Sequence, residues 1–215
     1  MHKLMLLSFL VAFCLAPAGA MALDQTDANA PVPAPIPMPE DVVCPDIVIN
    51  GALGLGAPGW PAFSGEQTGR LNRNGVSSLC GAPKACAIWD TNPGRAFDAY
   101  AIANESGAMQ CVNVSLLVHT QTACNIQTNA YLNTYVPTSV CTGYLADPGL
   151  STGTPPNLLT LSFDVPANDV LIMVVHTTNP GEFGCEYTLT ISGELCGGST
   201  AVEPGTWGAI KDTYK

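Results

Sequence analysis

Leu159-Thr160-Leu161-Ser162-Phe163-Asp164-Val165, the turn Pro166-Ala167-Asn168-Asp169 and the unbroken apolar run Val170 to Val175 set the architecture of this chain. The first run alternates apolar and polar residues with period two, the pattern of a strand with one face in a core and one in water. Pro, Asn and Asp between the runs are turn formers. The second run has no polar alternation, as expected of a central strand covered on both faces.

The same grammar extends in both directions. Asp46-Ile47-Val48-Ile49 is short and β-branched, and Phe97-Asp98-Ala99-Tyr100-Ala101-Ile102 alternates. So do Cys111-Val112-Asn113-Val114-Ser115-Leu116 and Tyr187-Thr188-Leu189-Thr190-Ile191. Asn92-Pro93-Gly94, Asp147-Pro148-Gly149 and Asn179-Pro180-Gly181 punctuate them. Short strands divided by such turns, with no sustained helical period, predict an all-β, jelly-roll-like antiparallel β-sandwich stapled by disulfides.

The flanks read differently. Met1-His2-Lys3, the apolar run Leu4 to Ala16 and the small residues Ala18 and Ala20 form a secretion signal at 1–20, with cleavage after Ala20. The run is shorter than the roughly 20 residues a membrane helix needs. Residues 21–43 are a Pro-rich linker, since proline at alternate positions of 30–39 can neither join a ladder nor continue a helix. The sandwich is expected over 44–196, and 197–215 are a second linker and a tail carrying Trp207 and Tyr214. That tail reads either as a sorting signal or as a segment docked on the sandwich.

Of 215 residues, 17 are acidic and 7 basic, giving a formal charge of −10. A chain so poor in Lys and Arg cannot build a phosphate-binding surface, which excludes nucleic acid as a partner. Removing the signal leaves Cys44, Cys80, Cys86, Cys111, Cys124, Cys141, Cys185 and Cys196. An even count in an exported chain points to disulfides, and the Cys-x-x-Cys spacing of zinc sites is missing. Counting strand directions up and down places Cys111 with Cys141 and Cys124 with Cys185 at common ends. The expected pairs are therefore Cys111–Cys141 and Cys124–Cys185, with Cys80–Cys86 local and Cys44–Cys196 tying the domain ends.

Two motifs suggest chemistry and lack the scaffold for it. Gly54-Leu55-Gly56-Ala57-Pro58-Gly59 fits the dinucleotide fingerprint, but Pro58 and Pro61 deny it a helix at the third glycine. Gly149-Leu150-Ser151-Thr152-Gly153 fits a nucleophile elbow, yet prolines and a strand follow where a helix is required. His119 and His176 lie in apolar runs, as satisfied, partly buried rings do. Asp90, Asp98, Asp147, Asp164 and Asp169 are expected at strand ends or turns, so calcium is conceivable without a binding motif. Asn104 and Asn113 open glycosylation sequons. Trp60, Trp89 and Tyr100, if exposed, offer platforms for sugar rings. No catalytic, cofactor or metal residue is assigned.

Thr68-Gly69-Arg70-Leu71-Asn72-Arg73-Asn74-Gly75-Val76-Ser77-Ser78-Leu79-Cys80, Phe97-Asp98-Ala99-Tyr100, Ser162-Phe163-Asp164-Val165-Pro166-Ala167, Val174-Val175-His176 and Cys185-Glu186-Tyr187-Thr188-Leu189 are a pattern seen in secreted bacterial β-sandwich domains. Over about 66–193 the chain resembles a cysteine-rich relative of the bacterial pre-peptidase C-terminal domain. The resemblance implies a jelly-roll-like, non-catalytic accessory module linked to protein export, surface attachment and sometimes ligand or calcium binding. Such modules usually accompany a catalytic domain, and this chain carries none. The expectation is a monomeric, secreted binding or structural module at a bacterial cell surface, its partner a surface glycan or protein. A small hydrolase using Ser151 and a carbohydrate-binding module are the alternatives.

Overall fold

The computed structural model describes residues 44–60, 62–119, 124–153 and 157–195. Eleven strands form: β1 (Ile47–Ala52), β2 (Phe63–Gln67), β3 (Arg70–Leu71), β4 (Ile88–Asp90), β5 (Arg95–Ala103), β6 (Gln110–Val118), β7 (Ile126–Leu132), β8 (Tyr144–Ala146), β9 (Leu158–Val165), β10 (Val170–Thr177) and β11 (Glu186–Ser192). No helix occurs among the described residues. One sheet has the order β1-β11-β6-β9 and the other β2-β5-β10-β7-β8, while β3 and β4 form a separate ribbon. Every ladder is antiparallel. The protein is an all-β antiparallel sandwich.

Alternation does its expected work in the four-stranded sheet. Val112, Val114, Leu116 and Val118 of β6 and Leu159, Leu161, Phe163 and Val165 of β9 are buried, and the residues between them face outward. They meet Tyr100, Ile102, Leu171, Met173 and Val175 of the other sheet in one core. The turn Pro166-Ala167-Asn168-Asp169 carries the chain from one sheet to the other. Asn168 adopts φ 63°, a left-handed conformation that asparagine tolerates. Asn104 clamps this crossing through Nδ2 bonds to the carbonyls of Val165 and Pro166, both 2.9 Å. Its sequon is therefore spent inside the fold.

The five-stranded sheet departs from simple alternation. β10 is central and buried almost throughout, as its apolar run implies. β5 is buried on both faces despite its alternating sequence. The reason is a second layer: Phe97, Ala99, Tyr131, Ile172 and Val174 lie on the outer face beneath Tyr135 and Tyr144. Rings pack there, Phe97 and Tyr135 edge to face with centroids 5.2 Å apart and Tyr131 and Tyr135 tilted at 4.8 Å. The ribbon and the loop after β7 join over this face, where Thr68 N–H donates to Pro137 O at 2.8 Å.

The bridges within the described residues are Cys80–Cys111, Cys86–Cys141 and Cys124–Cys185. Cys124–Cys185 is the pair that strand parity gives. The expected Cys80–Cys86 and Cys111–Cys141 pairs are replaced, because Cys111 belongs to the four-stranded sheet and Cys141 leads into β8 of the other. The segment joining β3 to β4 passes between them and fastens one cysteine to each sheet. Cys44 is disulfide-bonded, and the Cys44–Cys196 expectation falls outside the described residues, as do the signal, both linkers and the tail. Bridges closing loops of this size contribute about 2–4 kcal/mol each.

Candidate functional site

The outward residues of the four-stranded sheet fall into register. Ser192, Asn113 and Ser162 form one row across β11, β6 and β9; Thr190, Ser115 and Thr160 form the next. Neighbours in a row are separated by the strand spacing of about 4.8 Å, and the rows by about 6.7 Å. The β3–β4 connection builds a wall along this array. Ser162 N–H donates to Ser78 O at 3.0 Å, Ser77 Oγ donates to Thr160 O at 2.7 Å, and Gly81 N–H donates to Asp164 Oδ2 at 2.6 Å. The result is a groove lined by Ser77, Leu79, Asn113, Ser115, Thr160, Ser162 and Ser192. It holds hydroxyls and one amide and no charged side chain, so it can exchange hydrogen bonds with a neutral partner without a charge-desolvation cost.

The other edge of the connection is pinned to β8. Ser78 N–H donates to Asp147 O at 3.0 Å, and Lys84 Nζ lies 2.7 Å from Asp147 Oδ1. Gly149 sits where the backbone of Val76 passes, so that a Cβ there would lie 2.3 Å from the Val76 oxygen, at φ +67°. The first glycine of the elbow-like motif is thus a packing requirement. Its serine, Ser151, accepts a hydrogen bond from the Arg73 guanidinium at 2.5 Å. His176 is buried and bonded to Asn129, while His119, against the expectation of partial burial, is exposed and bonded to Thr188. Neither ring is bonded to Ser151.

The glycine-rich motif binds an anion, but an internal one. Gly54 and Gly56 N–H groups each donate to Asp98 Oδ1 at 3.2 Å, Ser64 Oγ donates to it at 2.5 Å, and Tyr187 OH donates to Oδ2 at 3.0 Å. Tyr100 and Tyr187 hydroxyls are 2.6 Å apart. Asp98 was expected at a strand end or turn and lies instead inside β5, fully buried. Burial pushes its carboxyl above the usual range, against the hydrogen bonds that favour the charge. Asp164, the penultimate residue of β9, sits at a strand end as expected. The one cluster of three metal-ligating types among the described residues is Cys80, Cys111 and Asp164, and its two sulfurs are already joined to each other.

Of the aromatic platforms, Tyr100 is buried in the core and Trp60 is half-buried against it. Trp89 is 62% exposed. Asn113, the second sequon, faces outward in the groove. The covered face holds a polar enclave that sequence inspection missed. His176 Nδ1 donates to Thr177 O at 2.8 Å and Nε2 accepts from Asn129 Nδ2 at 2.8 Å, while both side-chain atoms of buried Gln127 and Oδ1 of Asn129 have no partner. Burial lowers the His176 pKa to about 4, with the charge of Arg95 adding to it. Ser77 and the arginines of the ribbon were also missed, because their positions depend on contacts far along the chain.

No family model and no curated protein matches the chain. Among solved structures it is similar to the exo-β-1,3-galactanase of Phanerochaete chrysosporium with galactose, at 10% identity and TM-score 0.24 over 61% of this chain and 29% of that one. A variant of that enzyme with β-1,3-galactotriose gives 8% identity and TM-score 0.25 over 70% and 30%. Infectious bursal disease virus, Gx strain, gives 14% identity and TM-score 0.27 over 75% and 36%. The chain spans about a third of the length of these structures. At such scores the likeness says nothing of what this chain binds.

Proposed function

We propose that this chain is a non-catalytic binding or structural module working outside the cell at a bacterial surface, with the uncharged groove as its contact face. The observation that carries the reading is the register of hydroxyl and amide side chains on a rigid sheet, walled by a connection that disulfides tie to both sheets. Three bridges and the lack of a membrane-spanning helix among the described residues fit an oxidising, extracellular setting. The same setting fits the secretion signal read from residues 1–20. The hydrolase alternative is disfavoured because Ser151 is engaged by Arg73 and not by an imidazole.

The test is retention of labelled protein on intact cells and isolated envelopes. Ser115→Arg combined with Thr160→Arg should lower retention about tenfold, which corresponds to roughly 1.4 kcal/mol. Ser151→Ala should retain fully. Turnover of an ester or glycoside panel that disappears in Ser151→Ala would replace this reading with the hydrolase.

A further inference from the structure

We infer that the ribbon carries a second binding site, for a carboxylate-bearing saccharide, built from the free face of Trp89 and the guanidinium groups of Arg70 and Arg73. It stands apart from the groove and does not depend on it.

The chain has three arginines, and the charges of Arg73 and Arg95 both act on Arg70. Asp90 Oδ2 is 2.9 Å from Arg95 and 3.5 Å from Arg70 Nε, so that carboxylate is committed first to Arg95. Arg95 also donates from Nε to Thr178 O at 3.0 Å and from a terminal nitrogen to Asn92 O. Arg70 is left with that long contact to Asp90 and a 3.4 Å bond to Leu71 O, although its side chain is only 9% exposed. A guanidinium so desolvated with such weak pairing is an incomplete arrangement, because a buried charge is stable only when well bonded. Arg73 gives one N–H to Ser151 and keeps its other donors on an exposed side chain. It lies near enough for its charge to act on Arg70, and burial is the larger cause of the Arg70 shift below its ordinary value. Two guanidinium groups share the Asp90 carboxylate, and the charge of a third acts on Arg70, in a chain whose formal charge is −10.

The remaining element is apolar. Arg70 lies 5.3 Å from the centroid of the Trp89 ring, so one face of the indole is occupied by the cation. The ring is nevertheless 62% exposed, which leaves the opposite side to solvent. A flat apolar face beside the weakly paired Arg70, with the remaining donors of exposed Arg73, matches a pyranose carrying a carboxylate, the C–H face stacking and the carboxylate taking paired N–H bonds. An acidic peptide fits less well. It would engage the arginines alone, whereas the exposed Trp89 face adds the stacking surface that a pyranose ring fills.

The test uses the full oxidised chain with a short oligogalacturonate and with the uncharged galactose oligomer of equal length. Tryptophan emission and calorimetry are read together. The oligogalacturonate should quench emission and bind more weakly as salt rises. Trp89→Ala should abolish the quench. Arg73→Ala, an exposed change that spares the fold, should weaken binding about tenfold, and Arg70→Lys should weaken it while keeping the charge. Ser115→Leu with Thr160→Leu, which alters the groove without adding charge, should leave oligogalacturonate binding unchanged, which separates failure here from failure of the groove reading. Equal binding of the neutral oligomer, an undiminished Arg73→Ala variant, tighter binding of a glutamate-rich peptide, or no binding by natively folded protein would each overturn the inference.

Discussion

The two sheets of this sandwich present opposite outer faces. That of the four-stranded sheet is open and lined with serine, threonine and asparagine in register across β11, β6 and β9. That of the five-stranded sheet is roofed by the ribbon and the loop after β7, and holds packed rings beside His176, Gln127 and Asn129. The strands beneath both faces obey the same rules of pairing. What differs is a second layer of chain, which turns an ordinary solvent face into a second core. An open face can be rewritten for recognition at little cost in stability, whereas a roofed one cannot.

The sharpest way to break this contrast is to delete the same amount of chemistry from each face. Phe97→Ala, under the roof, should cost about 3–5 kcal/mol, measured by denaturant unfolding. A loss below 1 kcal/mol would mean that the roof is not packed in solution.

Acid offers the next test. His176 is held neutral, its pKa lowered to about 4, whereas the unfolded ring titrates near 6.5. Below pH 6.5 the unfolded chain takes a proton that the fold refuses. Stability should therefore fall between pH 6.5 and 4 by about 3 kcal/mol and level off below. The slope should vanish from this window in His176→Gln, and an unchanged slope would place the acid sensitivity elsewhere.

Next come the two bridges of the connection. Removing Cys86–Cys141 by paired alanines should cost about 2–4 kcal/mol and loosen the roof, seen as faster hydrogen exchange at β3 and β4. Removing Cys80–Cys111 should cost a similar amount and loosen the groove wall instead. Identical exchange maps would show that the segment moves as one body. The smallest effect belongs to the open face: Thr190→Ala should change stability by less than about 0.5 kcal/mol.

Legibility in the sequence follows the same divide. The period-two run of β9 announced both its buried leucines and its outward Thr160 and Ser162, because alternation is a local property of the backbone. The apolar run of β10 announced a central strand for the same reason. The run Phe97 to Ile102 gave no warning that both its faces are covered, since the cover comes from Tyr135 and Tyr144, far along the chain. Asp98 looked like a turn residue until Gly54, Gly56, Ser64 and Tyr187 were brought around it.

Taken alone, the sequence determined the strand character, the antiparallel parity and, of the three bridges whose two cysteines both lie among the described residues, Cys124–Cys185. These depend on residue period and on counting direction, which are local or additive. Only the tertiary structure decided that the β3–β4 connection bridges the sheets, pairs Cys80 with Cys111 and Cys86 with Cys141, walls the groove and sets Trp89 over Arg70. Those outcomes join residues far apart in the chain, through contacts that no local pattern encodes.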